Sequence, residues 1–332
     1  MIISRTPFRI SFFGGGTDYP VWYREHGGKV LGTTIDKYCY ISCRYLPPFF
    51  KHKHRIVYSL VELVKDIDEI RHPAVKEVMR YIGITKGMEI HHDGDLPART
   101  GLGSSSSFTV GLLNALYELN GTQTTKMRLA QEAIHIEQDL VKENVGSQDQ
   151  TMAAFGGLNR ILFKTNNSIE IQPVSLEPNR LRLFQDHLLL FYTGIARTAS
   201  EIAAEQINQT QNKQQELTDM YNMVDEAVKI LESDTDLEDF GRLLHENWQI
   251  KRTLTSRVTT SHIDSIYDTA MNSGATGGKL LGAGGAGFML LFVKPELQEN
   301  IKDALSDLLY VPFSFETEGS KIIVSNNEGI SI

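Results

Sequence analysis

The densest run of chemically useful residues is Pro97-Ala98-Arg99-Thr100-Gly101-Leu102-Gly103-Ser104-Ser105-Ser106-Ser107, directly ahead of an apolar run with helical spacing. Glycines let backbone N–H groups turn inward, a helix start supplies unpaired donors and partial positive charge, and hydroxyls add donors and ligands. The segment reads as an oxyanion cradle suited to polyphosphate. Capping a helix would need one serine, and four after two glycines exceed that need.

A carboxylate in the wrong place is the second signal. Over Met127–Val141 the apolar stripe passes through Ala130, Ala133, Ile134, Leu140 and Val141, and Glu137 falls on it. An acid facing a core needs a partner, which here is either a magnesium ion shared with a loop serine or a structural Arg or Lys. Downstream, Asp149 in Gly146-Ser147-Gln148-Asp149-Gln150 either caps the short helix that follows or takes a proton from a substrate hydroxyl. Arg9 and Asp18 bracket the turn Gly14-Gly15-Gly16, which suits one cation near a transferring phosphoryl and one carboxylate accepting from hydroxyls.

Other patterns fail on context. Gly282-Ala283-Gly284-Gly285-Ala286-Gly287 spells G-x-G-x-x-G, but the strand-like FMLLFV follows where a dinucleotide fingerprint must open a helix. Ser273–Leu280 lacks the first Gly and the final Ser or Thr of a P-loop, and Asp239-Phe240-Gly241 lies inside a helical pattern without a kinase catalytic loop before it. The His91-His92-Asp93 and His52-Lys53-His54 clusters lack further ligands at metal-binding spacing and read as a polar strand end and a solvated loop.

The elements that must carry these residues follow from periodicity. Extended runs are expected at Ile2–Phe13, Lys29–Ile35, Tyr38–Tyr45, Arg55–Tyr58 and Met88–His92, with a helix over Pro73–Ile82. Phe108, Leu112, Ala115, Leu116 and Leu119 mark a helix after the serine loop, so strand, glycine loop and helix come in order. Further strands are expected at Leu158–Phe163, Ile169–Val174 and His187–Tyr192. Thr198 to about Leu254 is a helical insert; from Ser261 the pattern is helix, strand (Gly278–Leu281), strand (Phe288–Val293), helix (Pro295–Leu309) and two short strands to Val324. The polar, proline-bearing stretch Ile169–Arg182 marks a boundary between two domains.

Composition bounds the rest. The 332 residues are 41% hydrophobic and 22% charged, enough for a sizeable core and against disorder. A net charge of −8 argues against general affinity for nucleic acid or anionic membrane, so an anionic ligand must be held locally. No stretch reaches the roughly 18 apolar residues of a membrane span, and the N-terminus lacks the layout of a signal peptide, so a soluble protein that is not exported is expected. The two cysteines, Cys39 and Cys43, lie on one face of a strand and read as buried thiols of a reducing cytoplasm.

Taken in order, TPFRISFFGGGTDY (Thr6–Tyr19), LPARTGLGSSSS (Leu96–Ser107) and GGKLLGAGGAG (Gly277–Gly287) resemble the three signature segments of the GHMP kinase superfamily. That superfamily includes galactokinase, homoserine kinase, mevalonate kinase and phosphomevalonate kinase, and the resemblance runs almost end to end. It implies a two-domain α+β fold: residues 1–175 with a left-handed β-α-β element, residues 176–332 ferredoxin-like with a helical insert, and the active site between them. It implies ATP and Mg²⁺, with Pro97, Gly101, Leu102, Gly103, Ser104, Ser105 and Ser106 on the nucleotide and Ser105 and Glu137 on the metal. Asp149 then serves as base or orienting group and Arg9 stabilises the transferring phosphoryl. Gly15, Gly16, Thr17, Asp18 and Tyr19 would face the substrate, together with Arg197, Lys279, Gly282, Gly284 and Gly285.

One departure is informative. Galactokinases carry Glu and His where this chain has Gly15 and Gly16, which makes galactose a poor fit, while GGGTDYPVW looks like kinases acting on heptose phosphate. Such enzymes phosphorylate the anomeric hydroxyl at C1; fucokinase-like and arabinokinase-like relatives compete, as does a non-catalytic sensor of sugar phosphate and nucleotide. Lys29, Lys37, Arg44, Arg99, Arg160 and Arg197 are available for a second phosphate. The implied partners are a sugar phosphate and ATP, with no nucleic acid or membrane, on a monomer or homodimer.

Overall fold

The computed structural model describes residues 1–194 and 199–326. The opening segment forms β1 (Ile2–Phe13), buried along most of its length, with Ile2, Phe8, Ile10, Phe12 and Phe13 in the core and the polar Ser4, Thr6, Arg9 and Ser11 buried between them. After a glycine turn, α1 (Pro20–His26) starts on its proline and leads to β2 (Gly28–Tyr45), antiparallel to β1. Where the pattern suggests two strands there is one: the register shifts between Pro7 and Phe8, and the polar pair Asp36-Lys37 forms the bulge.

An edge hairpin of β3 (His54–Val57) and β4 (Val61–Val64) precedes α2 (Pro73–Ile82), which returns the chain to β5 (Met88–Gly94). β5 runs parallel to β3 and antiparallel to β2, so this β-α-β unit holds the only parallel pairing among the described residues. Next come α3 (Ser104–Leu119), α4 (Lys126–His135), α5 (Gln148–Phe155), β6 (Asn159–Phe163) and β7 (Ile169–Pro173). α3 is buried on every side from Ser106 to Tyr117, against β1, β2 and α5.

The second half opens with α6 (Pro178–Asp186) and β8 (Leu188–Tyr192). The helical stretch is α7 (Ala199–Gln209), α8 (Gln214–Glu232) and α9 (Glu238–Arg252), followed by α10 (Ser261–Asn272), β9 (Ala275–Leu280) and β10 (Phe288–Val293). The helix expected over Pro295–Leu309 is shorter, a 3₁₀ turn and then α11 (Gln298–Ala304), because β11 (Leu309–Tyr310) leaves to pair with β8. β12 (Phe315–Glu316) and β13 (Lys321–Ser325) are the last strands among the described residues.

Two sheets result, giving the α+β architecture that the resemblance implies. One is antiparallel in the order β11-β8-β10-β9; the other follows β13-β1-β2-β5-β3-β4, with β6 and β12 also on β2 and β7 beyond β6. Aromatic rings join them: Phe13 meets Phe240 of α9 edge-on at 5.2 Å, and Phe12 packs on Phe184 of α6 at 5.4 Å. The end of β1 is thereby fixed against the second half of the molecule. Cys39 and Cys43 are both buried on β2 and unpaired.

Candidate active site

Three segments far apart in the chain meet at Arg9. Its backbone N–H donates to Leu102 O (3.0 Å), which docks the serine-bearing loop on β1. Its guanidinium donates from Nη1 to Gly101 O (2.6 Å), from Nε to Asp149 Oδ1 (2.8 Å) and from Nη2 to Asp149 Oδ2 (2.7 Å). Asp149 stands in the first turn of α5, yet Ser147 is the N-cap residue and makes no side-chain cap bond, so Asp149 is spent on Arg9 rather than on capping.

The loop itself turns on two glycines. Gly101 and Gly103 adopt φ of 84° and 75°, and Gly103 is the N-cap of α3, with no side chain covering the first N–H groups of that helix. The four serines divide their work. Ser104 Oγ accepts from the Arg99 N–H (3.0 Å), Ser106 Oγ donates to Glu137 Oε2 (2.8 Å), and Ser107 Oγ donates to Pro7 O (2.8 Å). Ser105 is exposed and faces Glu143, so the hydroxyl beside Glu137 is that of Ser106, not of Ser105.

Glu137 is 1% exposed and sits in a π-helical turn, Ile136–Leu140, that continues α4. Val141 N–H bonds back to Ile136 O (2.8 Å), the wider turn that often marks functional sites. Gln150 Nε2 also donates to Glu137 Oε2 (2.5 Å), whereas Oε1 is buried without a hydrogen-bond partner. Burial pushes the carboxyl up to about 7 against the opposing side chains of Thr109, Ser106 and Gln150. No Arg or Lys is its partner among the described residues, and a hard cation with water and phosphate oxygens is the ligand that its free oxygen and the Ser106 hydroxyl suit.

The first glycine turn builds a second carboxylate position. Gly14 has φ of 80° and a Cβ there would stand 1.9 Å from Lys29 O. Thr17 is structural, its hydroxyl donating to Gly14 O and Lys29 O. Asp18 is 2% exposed; Oδ1 accepts from Gly16 N–H (3.0 Å) and Oδ2 from Gln148 N–H (3.3 Å). Burial and the neighbouring Asp149 charge raise its pKa, opposed by those two amides. Tyr19 is buried next to Asp18, and an open cleft of about 250 Å³ beside it is lined by Arg24, Gln138, Glu143 and Val145.

The third glycine segment supports the second. A Cβ on Gly101 would lie 2.4 Å from Leu281 O, and one on Gly282 would lie 2.5 Å from Gly101 Cα. Gly284 and Gly285 press on Val258 instead, with Gly285 N–H donating to Val258 O (2.8 Å). Lys279 is buried and donates to Phe12 O (2.7 Å); burial, Lys251 and Arg9 depress its proton affinity strongly. Lys251, which sequence reasoning missed, donates to Gly282 O (2.5 Å) and Leu280 O (3.3 Å), and burial lowers its pKa to about 7. Its signal was available: it continues the stripe Leu244, Trp248 of α9, a charge on an apolar face like Glu137.

Not every candidate converges. Arg197 lies outside the described residues. Lys29 and Arg160 share Asp225, Lys37 pairs with Asp36 and Arg44 with Glu89, so these four do not form one anion pocket. The His92 ring packs edge-on against Phe108 at 5.0 Å and is more than a polar strand end. Among the described residues no group of three or more His, Cys, Asp or Glu could hold a metal ion, and no helix is long and apolar enough to cross a membrane.

Comparison with known proteins matches two family descriptions, "GHMP kinases N terminal domain" over residues 65–157 and "GHMP kinases C terminal" over residues 223–311. The chain is 28% identical to a D-glycero-alpha-D-manno-heptose 7-phosphate kinase of Campylobacter jejuni, over 96% of this chain and 98% of that protein. It is 27% identical to a galactokinase of Pyrococcus furiosus, over 100% and 99% of the two chains. Among solved structures, a D-glycero-D-manno-heptose 1-phosphate kinase from Bacteriodes thetaiotaomicron superposes with a TM-score of 0.80 at 23% identity, covering 97% and 98%.

Proposed function

Because the chain belongs to the GHMP kinase family, and is therefore a phosphotransferase with a hydroxyl acceptor, we propose that it transfers the γ-phosphoryl of ATP to the C1 hydroxyl of D-glycero-D-manno-heptose 7-phosphate. The product is the 1,7-bisphosphate, on the way to GDP-activated heptose for surface polysaccharide. The observation that carries the reading is the Arg9–Asp149 pair held against the glycine-serine loop, in a chain aligned over nearly its whole length with a heptose phosphate kinase. Glycine at 15 and 16 fits an acceptor other than galactose.

In this reading the backbone N–H groups at the start of α3 hold the phosphates, and Pro97 to Ser106 wrap the nucleotide. Asp18 and Tyr19, with Gly15, Gly16 and Thr17 shaping the turn, bound the acceptor side. Asp149 orients the acceptor hydroxyl and takes its proton as the hydroxyl oxygen bonds to the γ-phosphorus and the bond to the ADP oxygen breaks. Arg9 balances the carboxylate before transfer and the equatorial oxygens during it. Glu137 and Ser106, with Ser105 in the next position, would hold Mg²⁺, which supplies charge neutralisation on the phosphates. A cytoplasmic setting fits the two unpaired thiols.

A coupled ADP-release assay tests this with free heptose, heptose 7-phosphate, heptose 1-phosphate, fucose, galactose and mevalonate. Turnover with heptose 7-phosphate at least about tenfold above the others in kcat/KM is expected. Preference for heptose 1-phosphate or fucose would reassign the acceptor, and no ADP release with any sugar would favour a sensor.

A further inference from the structure

The third glycine turn, Gly282–Gly287, carries no charged side chain of its own, but the helical stretch grips it through its backbone. Lys251 of α9 donates to Leu280 O (3.3 Å) and Gly282 O (2.5 Å), and Gln206 of α7 donates to Ala283 O (2.8 Å). Val258, just past α9, accepts from Gly285 N–H (2.8 Å). All three groups lie outside the signature segments, and the Lys251 and Gln206 side chains are at least nine-tenths buried.

What this grip holds in place is the phosphate loop. Leu281 O and Gly282 stand where a Cβ on Gly101 could not fit, at 2.4 Å and 3.2 Å from it, and Gly287 likewise abuts Thr100 O. Gly101 O in turn receives Arg9 Nη1 (2.6 Å), the nitrogen left over from the Asp149 pair. A turn with many positive-φ glycines has little stiffness of its own, since Gly282, Gly284, Gly285 and Gly287 adopt φ from 76° to 122°. Donors from neighbouring helices must supply that stiffness.

We propose that Lys251 and Gln206 are positioning residues which, by clamping the carbonyls of Leu280, Gly282 and Ala283, press the third glycine turn onto Gly101 and so set the affinity of the phosphate loop for nucleotide. The inference rests on the reading of that loop as the ATP site. It assigns the helical stretch a part in binding the donor substrate, although neither residue touches it. Burying a lysine without a carboxylate bonded to it is unfavourable, and the carbonyls of Leu280 and Gly282 are what its Nζ has in place of water.

The test is calorimetric titration of a non-hydrolysable ATP analogue with Mg²⁺ into the wild type, Lys251→Met, Lys251→Arg and Gln206→Leu, alongside steady-state kinetics. Lys251→Met and Gln206→Leu should each weaken analogue binding about tenfold and raise the ATP KM in parallel, with kcat at saturating ATP and the acceptor KM within about threefold of wild type. Lys251→Arg, which keeps the donors, should recover most of the affinity. Binding by both variants as tight as wild type would overturn the clamp; if Lys251→Met does not fold, Gln206→Leu decides alone. Absence of analogue binding to the wild type would instead overturn the ATP-site reading, and the clamp with it.

Discussion

Arg9 and Asp149, 140 positions apart, form a two-bonded ion pair at 2.7 and 2.8 Å whose remaining nitrogen holds the phosphate loop at Gly101 O. One guanidinium thus couples the proposed proton acceptor to the proposed phosphate site. A planar fork can do this and an ammonium cannot, because the fork spreads its donors over three nitrogens in fixed directions, whereas the three N–H bonds of an ammonium diverge from a single atom.

Asp149→Asn should retain analogue binding, since Arg9 still reaches Gly101 O, while kcat falls roughly 10²-fold or more. Arg9→Lys should lower kcat and also loosen nucleotide binding, as one ammonium cannot serve both Asp149 and the loop. Single-turnover kinetics with heptose 7-phosphate, together with titration of the ATP analogue, separate the two effects. Near-wild-type turnover in Asp149→Asn would remove that residue from proton transfer.

Glu137 carries a pH signature. Its folded carboxyl titrates at about 7 against an ordinary 4.5, so the native state keeps a proton that the unfolded chain releases between those values. The stabilising contribution is therefore complete below about pH 4.5 and lost as pH rises through 7. Glu137→Gln cannot titrate, and its stability relative to wild type should improve by up to about 3 kcal/mol between pH 4.5 and pH 8 in denaturant titrations. Mg²⁺ added to the analogue-bound proteins at pH 8 should stabilise the wild type more than Glu137→Gln; an identical magnesium response in both proteins would return Glu137 to a structural role.

Much of this site could be read from the sequence because its signals were anomalies. Glu137 is an acid on an apolar stripe and the serines exceed the needs of capping, and in the fold Ser106 and Glu137 are buried and bonded to each other. The choice between Ser105 and Ser106 could not be read, because α3 is buried all round and a helix without one apolar stripe gives no angular reference. The burial of Lys251 is legible from its place on the apolar stripe of α9, but its partners are not: its acceptors are backbone carbonyls some thirty residues on, and carbonyls leave no mark on residue identity. The sequence pattern holds two short strands up to Val324, but that β12 and β13 return to β2 and β1 is a matter of long-range pairing that local pattern does not encode.

The two thiols should be inert in the folded protein. Burial pushes Cys43 up to about 12, and burial with Asp93 and Asp95 raises Cys39 further. Neither should react with a thiol-specific chromogenic disulfide over an hour at pH 8, and both should react at once in guanidinium; added reductant should leave the thermal midpoint unmoved. Fast labelling of either thiol in the native protein would show that β2 opens locally far below the global unfolding free energy.

On the proposed acceptor side of the site Gly146 packs tightly on Asp18: a Cβ on the glycine would lie 1.8 Å from Asp18 Oδ2. Asp18 has no room to retreat: Gly16 N–H and Gln148 N–H fix its two oxygens, and its own carbonyl accepts from Ser147 N–H (3.0 Å). Gly146→Ala must therefore turn the carboxylate or lift the Gly146–Gln148 segment, and either movement breaks an amide bond to Asp18. Because that segment leads into α5, some motion will reach Asp149. The expected result is an acceptor KM raised about tenfold or more, a smaller fall in kcat, and an unchanged Kd for the ATP analogue, since Arg9 and the serine loop contact neither residue. Steady-state kinetics with heptose 7-phosphate, paired with analogue titration, checks this. An acceptor KM equal to that of the wild type would show that Asp18 does not line the acceptor pocket.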